Sequence, residues 1–182
     1  MKKGKIIGLI VLVLFLGGIG FGVTQIMNDP DKYNGSTNQS KVEAVFDAPS
    51  FSRISTDALI DKMGEAKAVE DYPTTTSKGS YDMKIYSYED DNASIEFIVC
   101  DDAVVRVHYF PNEAITFKSE NDIMGIFGIK PGQNIKKTAD TGTVLKFQAV
   151  SDTVGGVDAY DINKKDNTFA YAYVTYNWNY FE

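Results

Sequence analysis

Residues 94–110 read SIEFIVCDDAVVRVHYF, two alternating apolar runs divided by a pair of aspartates, and the register between the runs decides the fold. Successive side chains of a strand point to opposite faces, so a slip of one residue exchanges the buried and the solvated sets. A three-residue loop, Asp101-Asp102-Ala103, sets Cys100 opposite Val104 and gathers Ile95, Phe97 and Val99 on one face with Val105, Val107 and Tyr109. That face is wholly apolar. A two-residue turn would carry Arg106 in among Phe97 and Val99, where burial of a charge is costly. The odd-length loop is therefore expected, with Glu96 opposite His108 and Arg106 beside them on the outer face.

Upstream, Ser55 or Thr56 is placed to cap a short helix whose apolar side is Leu59, Ile60 and Met63 and which ends at Gly64. Residues 65–79 read as a loop, and 81–88 reads as the strand before the hairpin, bounded by the turn residues Glu89 to Asn92. Downstream, Ser119 opens a second helix with Glu120 and Asp122 in its first turn, where negative charge suits the helix dipole. Pro131 opens a further short helix, and strands are expected at 143–150, 157–162 and 168–178.

The two halves echo each other. Leu59-Ile60-x-x-Met63-Gly64 recurs as Ile123-Met124-x-x-Phe127-Gly128 at an offset of 64. At that offset Tyr81, Met83 and Ile85 fall on Leu145, Phe147 and Ala149. At 65, Glu96 falls on Asp161, and Val105, Val107 and Tyr109 fall on Ala170, Ala172 and Val174. The expected fold class is therefore α+β, two tandem units at 46–113 and 114–182, each a short helix plus a three-stranded antiparallel sheet. This arrangement, with its Leu-Ile-x-x-Met-Gly helix end, resembles the β-lactamase inhibitory protein and the SmpA/OmlA type of envelope lipoprotein. The resemblance implies helices over one sheet face and an exposed aromatic face that binds a partner protein. The chain lacks the lipidated cysteine of the lipoproteins and the disulfides of the inhibitor.

The leader fixes topology. Met1 to Lys5 is basic, and residues 6–23 carry no charge or strong polar group. As a helix those residues span about 27 Å against a hydrocarbon core of about 30 Å, and 24–27 can extend the helix. The expectation is a signal-anchor at 6–27 with residues 1–5 cytoplasmic, a linker at 28–45, and the folded part outside. Cleavage after a shorter apolar region, near Gly20 and Gly22, gives a secreted protein instead. The formal charge is −7; setting aside Lys2, Lys3 and Lys5 leaves 15 basic against 25 acidic residues, a net of −10. Such a surface does not suit nucleic acid.

Catalytic groups are few. His108 is the single histidine and Cys100 the single cysteine, so a disulfide within the chain and a multi-cysteine zinc site are excluded. The acidic turns lack the alternating spacing of a calcium loop, and the glycines match no phosphate cradle, so no cofactor or metal is expected. Aromatic side chains remain. With Ala170, Ala172 and Val174 inward, Tyr171, Tyr173 and Thr175 stand outward, and the same parity turns Tyr86 and Tyr88 outward in the first unit. Together with Glu96, Arg106 and His108 they form the candidate partner-binding face, since tyrosine joins a large apolar body to a polar tip. Three readings fit: a non-enzymatic binding module engaging a protein or envelope partner, a structural or assembly factor of an envelope complex, and a hydrolase-like enzyme using His108 and Glu96.

Overall fold

The structure, a computed structural model, describes residues 42–182. Two short helices, α1 (Thr56–Met63) and α2 (Glu120–Ile126), accompany ten strands. In chain order these are β1 (Ala68–Thr76), β2 (Gly79–Glu89), β3 (Ala93–Cys100), β4 (Ala103–Pro111), β5 (Ile115–Thr116), β6 (Lys136–Asp140), β7 (Val144–Gln148), β8 (Gly156–Tyr160), β9 (Thr168–Phe169) and β10 (Tyr171–Thr175). Eight of them form one sheet in the order β1-β2-β3-β4-β10-β8-β7-β6, while β5 pairs with β9. Every pairing in the sheet is antiparallel.

The helix starts follow their capping chemistry. The Ser55 side chain accepts from the Ala58 amide, and Gly64 closes α1 at φ 82°, a conformation that costs glycine little. Asp122 reaches back to the Ser119 amide to start α2. The helices and the 3-10 turn Ala48–Phe51 lie over one sheet face, the inner one, where Leu59, Phe51, Ile123, Met124 and Phe127 pack with Phe97, Val107, Phe147 and Val174. Each such fully buried side chain contributes roughly 1.5–3 kcal/mol relative to exposure.

The two-unit expectation fails, because β4 pairs directly with β10 and carries a single sheet across the boundary at 113/114. Its phase was also wrong. Met83 and Ile85 lie on the outer face in a second apolar cluster with Ile98, Cys100 and Val105, whereas Leu145 and Phe147 belong to the inner core. Residues equated at the offset of 64 therefore point to opposite sides of the sheet. Ala149 and Asp161 occupy loop positions with positive φ, and Ala170 lies in a bend between β9 and β10.

Two edge strands escaped the sequence. β1 runs through residues read as a loop; it is almost wholly exposed and holds Pro73, which an edge strand tolerates because it needs no inward amide. β6 replaces the helix expected after Pro131 and is largely polar, with a register irregularity between Lys137 and Ala139. Neither offers the alternation that a half-buried strand shows.

The hairpin turn is also tighter than expected. Cys100 pairs with Ala103 across Asp101-Asp102, whose φ values of 51° and 57° suit a two-residue turn matched to strand twist. Arg106 stays out of the core because a β-bulge shifts the register between Ile98 and Val99, leaving Val104 opposite Val99 and Arg106 opposite Ile98. Val104 joins the inner core, and Val105, expected there, joins the outer cluster.

Beyond β10 the chain turns back. The Tyr176 hydroxyl donates to the Ala48 carbonyl at 2.6 Å, and a 3-10 turn, Trp178–Tyr180, leads Tyr180 and Phe181 onto the outer apolar cluster. Trp178 lies against Gly155 and Gly156; a Cβ at Gly156 would stand 2.4 Å from the indole and 2.9 Å from the Phe147 carbonyl oxygen. Gly156→Ala is therefore expected to cost about 2 kcal/mol through overpacking, read by urea unfolding. An unchanged midpoint would contradict this seating of the 176–182 strap.

Candidate functional site

The register sorts the outer face into rows that cross neighbouring strands. One row runs Ser94, Phe110, Tyr171, Tyr160 and Val144, from β3 through β4, β10 and β8 to β7. The next runs Glu96, His108, Tyr173, Asp158 and Lys146. A third runs Ile98, Arg106, Thr175, Gly156 and Gln148, and the strap reaches this row.

The first row is aromatic. Tyr160 and Tyr171 stack at 4.9 Å and 9°, and Phe110 stacks on Tyr171 at 5.7 Å and 28°. The spacing follows the separation of adjacent strands, about 5 Å, so the backbone itself sets the ring column. Phe110, Tyr160 and Tyr171 all remain partly exposed.

The second row is ionic and deeper. His108 is 2% exposed, its Nδ1 lies 3.1 Å from a Glu96 carboxylate oxygen, and its ring stacks at 3.9 Å on Tyr173. Burial lowers its pKa, outweighing the hydrogen bond to Glu96 that favours the cation. Burial likewise raises Asp158, against the pull of Lys146 at 3.6 Å and of Arg106. The Tyr160 hydroxyl donates to Asp158 Oδ2 at 3.2 Å, while Asp158 Oδ1 has no hydrogen-bond partner among the described residues. Burial pushes the Tyr160 and Tyr173 phenols well above their ordinary range.

Arg106 joins this face to the strap. Its Nε donates to Thr175 Oγ1 at 3.0 Å, and its guanidinium lies 3.4 Å from the Phe181 ring centre and 5.6 Å from Trp178. Burial lowers its pKa, partly offset by the nearby Asp158 carboxylate. The strap is held at its far end by Tyr180, whose hydroxyl donates to Asp101 at 2.8 Å, and by the Lys78–Glu182 ion pair at 2.9 Å.

Of the residues singled out from sequence, Glu96, Arg106, His108, Tyr171, Tyr173 and Thr175 do share the outer face. Thr175 is buried beneath Arg106, at 1% exposure. Tyr86 and Tyr88 do not share it. They pair with Phe97 and Ile95 and lie on the inner side, Tyr88 being buried with its hydroxyl donating to the Gly64 carbonyl at 3.2 Å. The outward placement followed from putting Met83 and Ile85 inside. Tyr160, Asp158 and Lys146 were overlooked, although Asp158 and Tyr160 alternate with Val157 and Ala159 and so carried a parity signal. Cys100 is buried, and desolvation with Asp101 nearby raises its thiol pKa. Among the described residues no group of three or more His, Cys, Asp or Glu side chains could hold a metal ion.

No family model and no curated protein matches the chain. Among solved structures it is similar to a cysteine-rich secretory protein from Staphylococcus aureus, at 12% identity over 76% of this chain and 48% of that one, with a TM-score of 0.42. It is also similar to an extracellular protein containing a SCP domain from Bacillus anthracis, at 14% identity over 86% of this chain and 50% of that one, with a TM-score of 0.41. The chain spans about half the length of these solved chains. Neither is a β-lactamase inhibitory protein or a SmpA/OmlA-type lipoprotein. At these values the likeness assigns no activity or partner.

The buried imidazole sets a pH dependence. Since the folded state holds His108 below the ordinary imidazole value of about 6.5, the unfolded chain binds the proton more readily, and stability falls as pH drops below about 6.5 toward the folded value. Urea unfolding between pH 8 and pH 5 is expected to show this loss, and His108→Gln to flatten it. An equal slope in the variant would assign the pH dependence to other groups.

Proposed function

We propose that this chain is a non-enzymatic binding module working outside the membrane, and that the outer sheet face engages a protein or other component of the cell envelope. The observation that carries this reading is the partly exposed column Phe110–Tyr171–Tyr160, set at strand spacing on a rigid sheet. Aromatic side chains on such a scaffold offer contact area at little cost in conformational entropy. The neighbouring row supplies charged groups of both signs, Glu96 and Lys146, for orientation. Burial of His108 under Tyr173 supports a structural part for the imidazole, since a general base needs hydrogen-bond reach to its substrate.

The extracytoplasmic placement rests on the leader, whose basic start and apolar run at 6–23 fit an anchor or an export signal. The expected span at 6–27 lies outside the described residues. Among the described residues no helix is long and apolar enough to cross a membrane.

A photo-crosslinking residue at Ser94 or Val144, the two ends of the aromatic row, is expected to trap a defined partner in intact cells. One at Asp61 on α1 is not. Adding Phe110→Ser and Tyr171→Ser should lower the yield about tenfold, as removal of central aromatic contacts does. Equal yields from Asp61, or no adduct from the row, would overturn the assignment of this face.

A further inference from the structure

Away from the outer face, residues 43–45, the turn at 90–92 and parts of the stretch from Tyr109 to Ile115 enclose a groove of about 660 Å³. That volume falls among small-ligand and side-chain pockets, about 300–1,000 Å³. Its walls are tied in place by the fold. The Val45 amide donates to the Ile126 carbonyl at 2.9 Å, the Asn112 amide to the Asn92 carbonyl at 2.8 Å, and Asn112 Nδ2 to the Asp91 carbonyl at 2.9 Å.

The lining has two chemistries. Val45, Pro111 and Ile115 supply an apolar floor, and Val45 is 51% exposed, one of two large apolar side chains so exposed among the described residues. An apolar side chain left open in a concavity marks a contact site. Tyr109 also lines the groove although the residue is only 3% exposed, and its hydroxyl has no hydrogen-bond partner among the described residues. Burial, with Asp90 nearby, raises its pKa, so it remains a neutral donor and acceptor. Glu43, Asp90, Asp91 and Glu113 supply the charged part of the lining, which contains no basic residue. Asp90 is fixed by the Asn92 and Ala93 amides, both donating to its Oδ1 at 2.7 Å.

We infer that this groove binds a basic peptide segment of a partner, with an aliphatic side chain on Val45 and Ile115 and a lysine or arginine among the carboxylates, donating to the Tyr109 hydroxyl. Charge complementarity selects the cation, and the exposed floor selects a ligand with an apolar part. A bare metal ion satisfies neither the floor nor the dispersed carboxylates. This site shares no residue with the outer-face rows, so it stands or falls separately from the function proposed above.

The test uses the full chain in detergent and a fluorescein-labelled acetylated hexapeptide of alternating lysine and leucine, read by anisotropy. Saturable binding is expected, weakened about tenfold by Asp91→Lys with Glu113→Lys. Tyr109→Phe, which keeps the ring packing, should weaken it about threefold. Glu113→Gln alone, a milder change at an exposed position, should weaken it in the same direction. No saturable binding, equal binding of a glutamate–leucine hexapeptide, or unchanged affinity in variants with unaltered thermal unfolding would each overturn the inference. Competition by spermidine as effective as that by unlabelled peptide would overturn the peptide assignment, because spermidine has no aliphatic branch for the floor.

Discussion

The β-bulge in β4 is the constraint on which the rest of the structure depends. Val104 and Val107 must both reach the inner core, yet they are separated by an odd number of steps and cannot do so in a regular strand. The extra residue resolves the conflict by putting Val105 and Arg106 together on the outer side. From that point His108 and Phe110 continue outward and Val107 and Tyr109 inward, and β10 pairs with β4 in the same phase. In a regular strand, Val104 turned inward would carry Arg106, His108 and Phe110 into the core with it, and Val107 turned inward would leave Val104 outside.

The outer face then divides its labour by depth. The ionic row is buried enough for desolvation to dominate the titration of His108 and Asp158, so its polar groups act mainly on one another. Arg106 is enclosed by Thr175, Trp178 and Phe181, which makes the 176–182 strap a cover for the second apolar cluster rather than a loose end. The strap reaches Arg106 in the third row, while the first row keeps its rings partly exposed. A scaffold built this way presents contact area while protecting the groups that would be costly to leave unpaired.

Much of this was legible in residues whose alternation reports burial. The helix ends at Ser55, Gly64 and Ser119 followed from capping chemistry, and the pairing of Glu96 with His108 followed from keeping charge out of the core. The inward set Ala172 and Val174 and the outward set Tyr171 and Tyr173 followed from aligning this strand with β4 in the rejected repeat, and those sides hold because β10 pairs with β4 in the same phase. Parity failed where both faces of a strand are apolar. In β2, Met83 and Ile85 alternate with Tyr86 and Tyr88, and only the strap reveals why the aliphatic side can face away from the helices. Edge strands β1 and β6 gave no signal because an edge needs no buried face, and the bulge gave none because one extra residue looks like a longer loop.

The central claim is that the aromatic row is covered by a partner where the chain works. Hydroxyl-radical footprinting of the chain in intact cells and after purification measures this directly. The account predicts that Phe110, Tyr160 and Tyr171 lose reactivity in cells relative to the purified chain, while Tyr81 and Tyr180, packed on each other beneath and within the strap, react alike in both. Equal reactivity of the row in the two states would contradict it.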